Sequence, residues 1–229
     1  MNLDIFTAAP LHCLALCSVR TGQLADAEKY FTQAVQVLGR ANEARVDFAK
    51  FLAEQNRAPE ALQQLHTAIT ADPNCQLAWQ LGGQLALSQP QFLEFALDWT
   101  GEAMRHLASD PMLQAQRAEA LLLAGQPTEA AELWRAVWEE AATPRSLAAL
   151  ILCTLANGQL TIAPRAGAEE EQTSRAFVAW YQRLLQFSGL ETLQLVHNNV
   201  PALTTSLPTA AQLLLAAMAE AQDEVMCTN

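Results

Sequence analysis

The sequence predicts an all-α fold, an α-solenoid of antiparallel helix pairs stacked along one axis, and three observations predict it. The first is composition: 51% of the 229 residues are hydrophobic and only 9 Gly and 10 Pro interrupt the chain. Ala, Leu, Gln and Glu dominate, and these lose little side-chain freedom in a helix. The second is punctuation, with Asp72-Pro73, Asp110-Pro111, Gly22, Gly125 and Gly158 at places where helices stop or start. The third is self-similarity: a shift of about 34 residues carries Ala27 to Ala61, Phe31 to Leu65 and Ala34 to Ala68. The same shift takes Leu14 and Ala15 to Phe48 and Ala49, then to Gly82 and Gly83. Alternating runs of β-branched residues are missing, the nearest candidate being LTIA at 160–163, so no sheet is expected.

Taken in order, the first pair is marked by GQLADAEKYFTQA at 22–34, with Gly22, Leu24, Ala27, Phe31 and Ala34 at fixed offsets. This segment resembles the second helix of a tetratricopeptide repeat, and the resemblance implies a right-handed superhelix of helix pairs. The second pair repeats the pattern through Ala61, Leu65 and Ala68 and closes at Pro73. A third opens with Trp79, where the family favours Trp, and carries Ala96 at the small-residue position. Its turn departs from the pattern, since SQPQ at 88–91 replaces a glycine; the unit is a few residues long, and its second helix is expected to gain most of a turn. The fourth, from Pro111, shows Gly125, Ala130 and Trp134 at the expected offsets. Small residues at Ala27, Ala61, Ala96 and Ala130 let paired helices approach, while Phe31, Leu65 and Trp134 fill the space between pairs. The units are thus expected over 8–41, 42–75, 76–110 and 111–144, with the first helix of a fifth over 145–157.

Beyond this the signature fades. SLAALILCTLANG at 146–158 reads as a helix ending at Asn157-Gly158, followed by a loop over 158–169 that is long enough to be mobile or functional. Helix is expected again from near Glu170, where TSRAFVAWYQRLLQF sets Phe177, Trp180, Tyr181, Leu184 and Leu185 on one stripe. ETLQLVHNNV then forms a short helix, and Pro201 and Pro208 bracket a linker before an apolar last helix and a frayed MCTN end. Residues 170–229 read as an atypical C-terminal helical cap over the last apolar face of the array, or as a docking surface for a further domain.

Charge and chemistry narrow the function. With 24 Asp plus Glu against 13 Lys plus Arg, a formal net charge of −11 repels phosphate backbones and anionic headgroups, which argues against nucleic acid and membrane surfaces. Apolar stretches such as LAALILC at 147–153 fall well short of the roughly 20 residues a spanning helix needs. The N-terminus has no basic stretch of the kind that precedes a secretory signal, and five cysteines without a CxxC pair fit a reducing compartment, so a cytoplasmic location is expected. Cys13 and Cys17 share a helical face beside His12, but four-ligand closure is not visible and no metal or other cofactor is expected. His12, His66, His106 and His197 are scattered over different helices, and no nucleophile elbow, HExxH or phosphate-cradling loop is present, so the chain is not expected to be an enzyme by itself.

The resemblance implies a partner surface. In tetratricopeptide-repeat proteins the first helices of successive pairs line the concave face, where extended peptides or partner helices bind. By position this assigns His12, Leu16 and Arg20 from the first unit, Val46, Lys50 and Glu54 from the second, Gln80 and Gln84 from the third, and Ala115 and Glu119 from the fourth. The Lys and Asn clamp with which some family members hold a terminal carboxylate is not present at these positions. The expected function is a protein-interaction scaffold or adaptor for a peptide or partner helix of unidentified sequence. The alternative is a substrate-recruiting or oligomerising arm of a larger enzyme, of the kind that bacterial glycosyltransferases with helical-repeat arms resemble. A second copy of the chain could also cover its apolar first helix, which leaves a homo-oligomer open.

Overall fold

A computed structural model describes residues 8–36, 41–158, 168–187 and 190–202, together with positions 208, 209, 211, 212, 215, 216 and 219. Among these residues the regular structure is helical throughout, with no strand. The LTIA segment, the loop between 158 and 168, Cys227 and the final MCTN lie outside them. The chain divides into two compact units, Met1–Gln89 with Asp98–Ala108, and Pro90–Leu97 with Ser109–Asn229.

In the first unit, α1 (Ala8–Arg20) packs on α2 (Leu24–Val35), α3 (Ala41–Glu54) on α4 (Ala58–Ala71), and α5 (Gln76–Ala86) follows against α3 and α4. Each turn within a pair is closed by one residue in the left-handed region. Gly22 sits at φ 74°, and Gln23 N–H then donates to Ser18 O at 2.8 Å. Asn56 takes the same part at φ 59°, with Arg57 N–H donating to Leu52 O at 2.9 Å. Both are the overlapping C-terminal bonds that satisfy carbonyls left open at a helix end. The repeat pattern does not single out Asn56, but asparagine tolerates this conformation better than other non-glycine residues.

The core of this unit is the set that the periodicity names: Ala27, Phe31, Ala34, Ala61, Leu65 and Ala68 are buried. Phe31 stacks on Phe48 of α3 with ring centroids 5.3 Å apart and lies 5.6 Å from Phe51. Burying each such side chain is worth about 1.5–3 kcal/mol. Asp72 and Pro73 do not open the next helix. Asp72 is extended, its carboxylate accepts from Asn74 N–H at 3.0 Å, and α5 begins only at Gln76. An aspartate that turns the chain onto its own backbone holds proline in the turn instead of at the helix start. Trp79 is anchored there by its indole N–H on Pro73 O at 2.8 Å. Gly82 allows Trp99 to close over α5: a Cβ at Gly82 would overlap the indole ring, whose N–H donates to Trp79 O at 2.9 Å.

A 3-10 turn, Pro90–Phe92, precedes α6 (Leu93–His106), whose residues fall partly in each unit. Here the structure corrects the sequence reading. The extra residues of the third pair form that separate turn, and α6 has 14 residues, the same as α4. Proline at 90 lacks the amide that would extend the helix backward. The second unit continues with α7 (Pro111–Leu123), α8 (Pro127–Glu140), α9 (Pro144–Ala156), α10 (Ala168–Phe187), α11 (Leu190–Asn199) and a 3-10 turn, Val200–Ala202. Prolines 111, 127 and 144 open their helices at the position where no amide donor is needed. Asp110 caps α7 by accepting from Leu113 N–H at 2.9 Å, and Thr143 and Ser146 form a reciprocal capping box on α9. Gly125, at φ 77°, closes the α7–α8 turn as Gly22 does the first.

α9 differs from the other first helices. All eleven residues from Ser146 to Ala156 are buried, so it is enclosed on every side by α8, α10 and α11. On α10, Phe177, Trp180, Tyr181 and Leu184 form the buried stripe, whereas Leu185 is 40% exposed. The ring of Trp180 meets Trp134 edge-on at 5.5 Å, and its N–H donates to Arg145 O at 3.1 Å.

Candidate functional site

The positions assigned to partner binding fall into two groups, one in each unit. In the first unit they lie on α1, α3 and α5, one helical turn apart within a helix and about 34 residues apart between helices. Leu16, Arg20, Lys50, Glu54 and Gln84 are exposed, and His12 and Gln80 are half-buried. Val46 is different, at 3% exposure, and belongs to the core. The exposed set mixes one apolar, three charged and one amide side chain over helices whose opposite sides are packed.

Asp47, which the repeat pattern does not single out, organises this face. Its carboxylate accepts from Lys50 Nζ at 2.9 Å through Oδ1 and meets His12 Nε2 at 2.9 Å through Oδ2, tying α3 to α1. The His12 ring also lies 6.2 Å from Phe31. The signal that could have found Asp47 is its place three residues before Lys50, where an acid and a base meet on a helix. His12 therefore turns toward a carboxylate and not toward Cys13 and Cys17, which are free and exposed. Among the described residues no group of three or more His, Cys, Asp or Glu converges on a point that could hold a metal ion.

Two buttresses keep the same unit rigid. Arg57 donates to Glu60 at 2.6 and 2.7 Å and to Glu28 at 2.7 Å, linking the α3–α4 turn to α2; these carboxylates raise its pKa, and it lowers that of Glu60 in return. Arg45 donates to Val35 O at 2.9 Å and Gln64 Oε1 at 3.2 Å, capping the last turn of α2, and burial lowers its pKa.

In the second unit, Ala115 is half-buried on α7, and Glu119, one turn later, is covered. Its side chain is 7% exposed and holds two arginines, Arg145 Nη2 at 2.6 Å and Arg183 Nη2 at 2.5 Å. The Arg145 guanidinium lies 5.1 Å over the Trp180 ring and that of Arg183 5.2 Å over Phe187. Glu119 is thus the buried hub of a cluster that joins α7, α9 and α10, and no residue of that cluster apart from Glu119 stands out in the repeat pattern. Cys153 on α9 is buried, and burial pushes its thiol pKa well up. No described helix is long and apolar enough to cross a membrane.

Comparison with known proteins bears on this geometry. A tetratricopeptide-repeat family model matches residues 19–85, which span α2 to α5. No curated protein matches the sequence. Among solved structures, MamA from Desulfovibrio magneticus RS-1 is similar in fold with a TM-score of 0.57 at 12% identity, covering 80% of this chain and 97% of that one. A double mutant of MamA RS-1 gives 0.59 at 12% identity, covering 79% and 93%. A tetratricopeptide repeat protein from Parabacteroides merdae gives 0.54 at 14% identity, covering 86% of each chain. At such identities the likeness is one of fold, and it extends the helix-pair pattern well beyond the matched repeats. Residues 19–85 thus carry a tetratricopeptide-repeat signature, and the chain shares the fold of tetratricopeptide-repeat structures.

Proposed function

We propose that the chain is a protein-interaction scaffold whose first unit binds a peptide or partner helix along α1, α3 and α5. The observation that carries this reading is the periodic exposure of Leu16, Arg20, Lys50, Glu54 and Gln84 on one register of three successive first helices, over a packed core. Side chains spaced this way meet a partner at regular intervals, so a few weak contacts add along its length. Gln84 offers both donors and acceptors to a peptide backbone, Leu16 offers a shallow apolar contact, and Lys50 and Glu54 set the register by charge. The Asp47 bridge between His12 and Lys50 holds α1 and α3 at fixed spacing, which lowers the ordering cost of binding.

The test is affinity capture by the full chain from its host, repeated with Lys50→Glu/Gln84→Ala. Both side chains are exposed, so the variant is expected to fold with unchanged helicity. Partners that use this face are expected to be retained about tenfold less, the effect of losing roughly 1.4 kcal/mol. Equal retention by both chains refutes this face as the binding surface.

A further inference from the structure

We propose that α10 is an internal stand-in for a partner: it occupies the side of α7 that carries Ala115 and Glu119, and an external amphipathic helix with an aromatic residue followed three positions later by arginine binds there in its place. The proposal extends the scaffold reading to the second unit, and rests on it only for the idea that first helices receive partners.

Three observations lead to it. In the first unit the first helices keep exposed positions at the partner-binding register, Leu16, Lys50 and Gln84. At that register α7 has Glu119, which is covered, and α9 is buried over its whole length from Ser146 to Ala156. The cover comes from α10. Arg183 reaches Glu119 at 2.5 Å, and Trp180 packs edge-on against Trp134 while its N–H bonds Arg145 O in the first turn of α9. His12 stands beside Phe31 in the first pair, whereas α7 has only the small Ala115 at that register, and it is against Trp134, the counterpart of Phe31, that Trp180 inserts.

The receiving surface also defines its occupant. Glu119 is a buried carboxylate met on one oxygen by Arg145 of α9 and on the other by the guanidinium of Arg183, which lies over Phe187. Trp180 and Arg183 stand three residues apart, on one side of a helix. The contact is not fully satisfied: among the described residues the buried Trp134 Nε1 of α8 has no hydrogen-bond partner. An external helix that supplied a partner for Trp134 Nε1 would have an advantage over α10, which holds its place through the high effective concentration of a tethered segment. A cationic occupant also suits a chain of net charge −11.

The experiment uses the full chain and a labelled synthetic peptide with the sequence of residues 168–187. Arg183→Glu places like charges together at Glu119 and is expected to release α10, seen as at least a tenfold loss of amide protection over 168–187 with α7 and α8 still protected. The released chain is expected to bind the added peptide at least tenfold more tightly than the unaltered chain, and a peptide carrying Arg183→Glu is expected not to bind it. The double variant Glu119→Arg/Arg183→Glu is expected to restore protection and exclude the peptide again. Equal peptide binding by the unaltered and Arg183→Glu chains overturns the proposal. So does loss of protection that spreads equally through α7, α8 and α9, which would make α10 an inseparable part of the core. Either result leaves the face on α1, α3 and α5 standing, because its test uses Lys50 and Gln84.

Discussion

Gly82 shows how a single missing atom sets the distance between two helices. With hydrogen in place of a methyl group, the Trp99 indole lies flush against α5 and bonds Trp79 O. The obstacle for Gly82→Ala is a rigid ring tied down by its own hydrogen bond, not a flexible chain end. Overpacking of this kind costs about 1–3 kcal/mol, even though alanine favours the helix by about 1 kcal/mol. Net destabilisation is expected, measured as a lower denaturation midpoint with altered Trp99 fluorescence; Gly82→Ala/Trp99→Leu should recover part of the loss. Cys153 makes a different prediction. Its thiol pKa is raised in the folded chain, so its contribution is full below the ordinary thiol value of about 8.5 and is lost as pH rises above it. Between pH 9 and 10 the unaltered chain should lose about 1 kcal/mol more than Cys153→Ala, checked by denaturant titration across that range. At this scale the repeat pattern set Gly82 in register with Leu14 and Phe48, and so did not show that position 82 had to be small or that an indole would fill the space. That depends on Trp99, 17 residues farther along, at a position with no aromatic counterpart in the second or fourth pair.

At the scale of elements, helices were legible where glycine or proline marked their ends. Gly22, Gly125, Pro111, Pro127 and Pro144 each act as their chemistry dictates. Two boundaries were less legible. Asn56 closes a turn in a conformation that its neighbours impose, and Pro73 is drawn into a turn by the Asp72 side chain, which delays α5 to Gln76. The register proposed for partner binding shows the same limit. A period of about 34 residues says which positions share a face; it does not say which of them a later helix will cover, as α10 covers Glu119. The start of α9 offers a direct test. Thr143→Ala removes the cap that accepts from Ser146 N–H at 3.1 Å and should destabilise the second unit by about 1 kcal/mol. Thr143→Asp should keep most of that stability, read from amide exchange in α9.

For the molecule as a whole, the decisive quantity is charge. An excess of 11 negative charges favours basic partners and speeds their encounter with the proposed face. Association rates of a partner captured by this chain should fall about tenfold or more between 0.05 and 0.5 M salt, while dissociation rates change much less; stopped-flow mixing separates the two. An unchanged association rate would mean that the partner meets a locally neutral patch. Two compact units within one chain also mean that a substitution such as Thr143→Ala need not disturb the face on α1, α3 and α5.

The enclosure of α9 has a consequence for synthesis on the ribosome. Its SLAALILCTLA stretch is made before α10 and α11, the helices that later shelter it. For the time needed to add some forty further residues, at about 5–20 per second, a greasy rod waits with only α8 against it. Nascent chains stalled in that interval would attract chaperones or stick to one another, and a gene cut just after Ala156 would yield aggregates where the longer product stays dispersed.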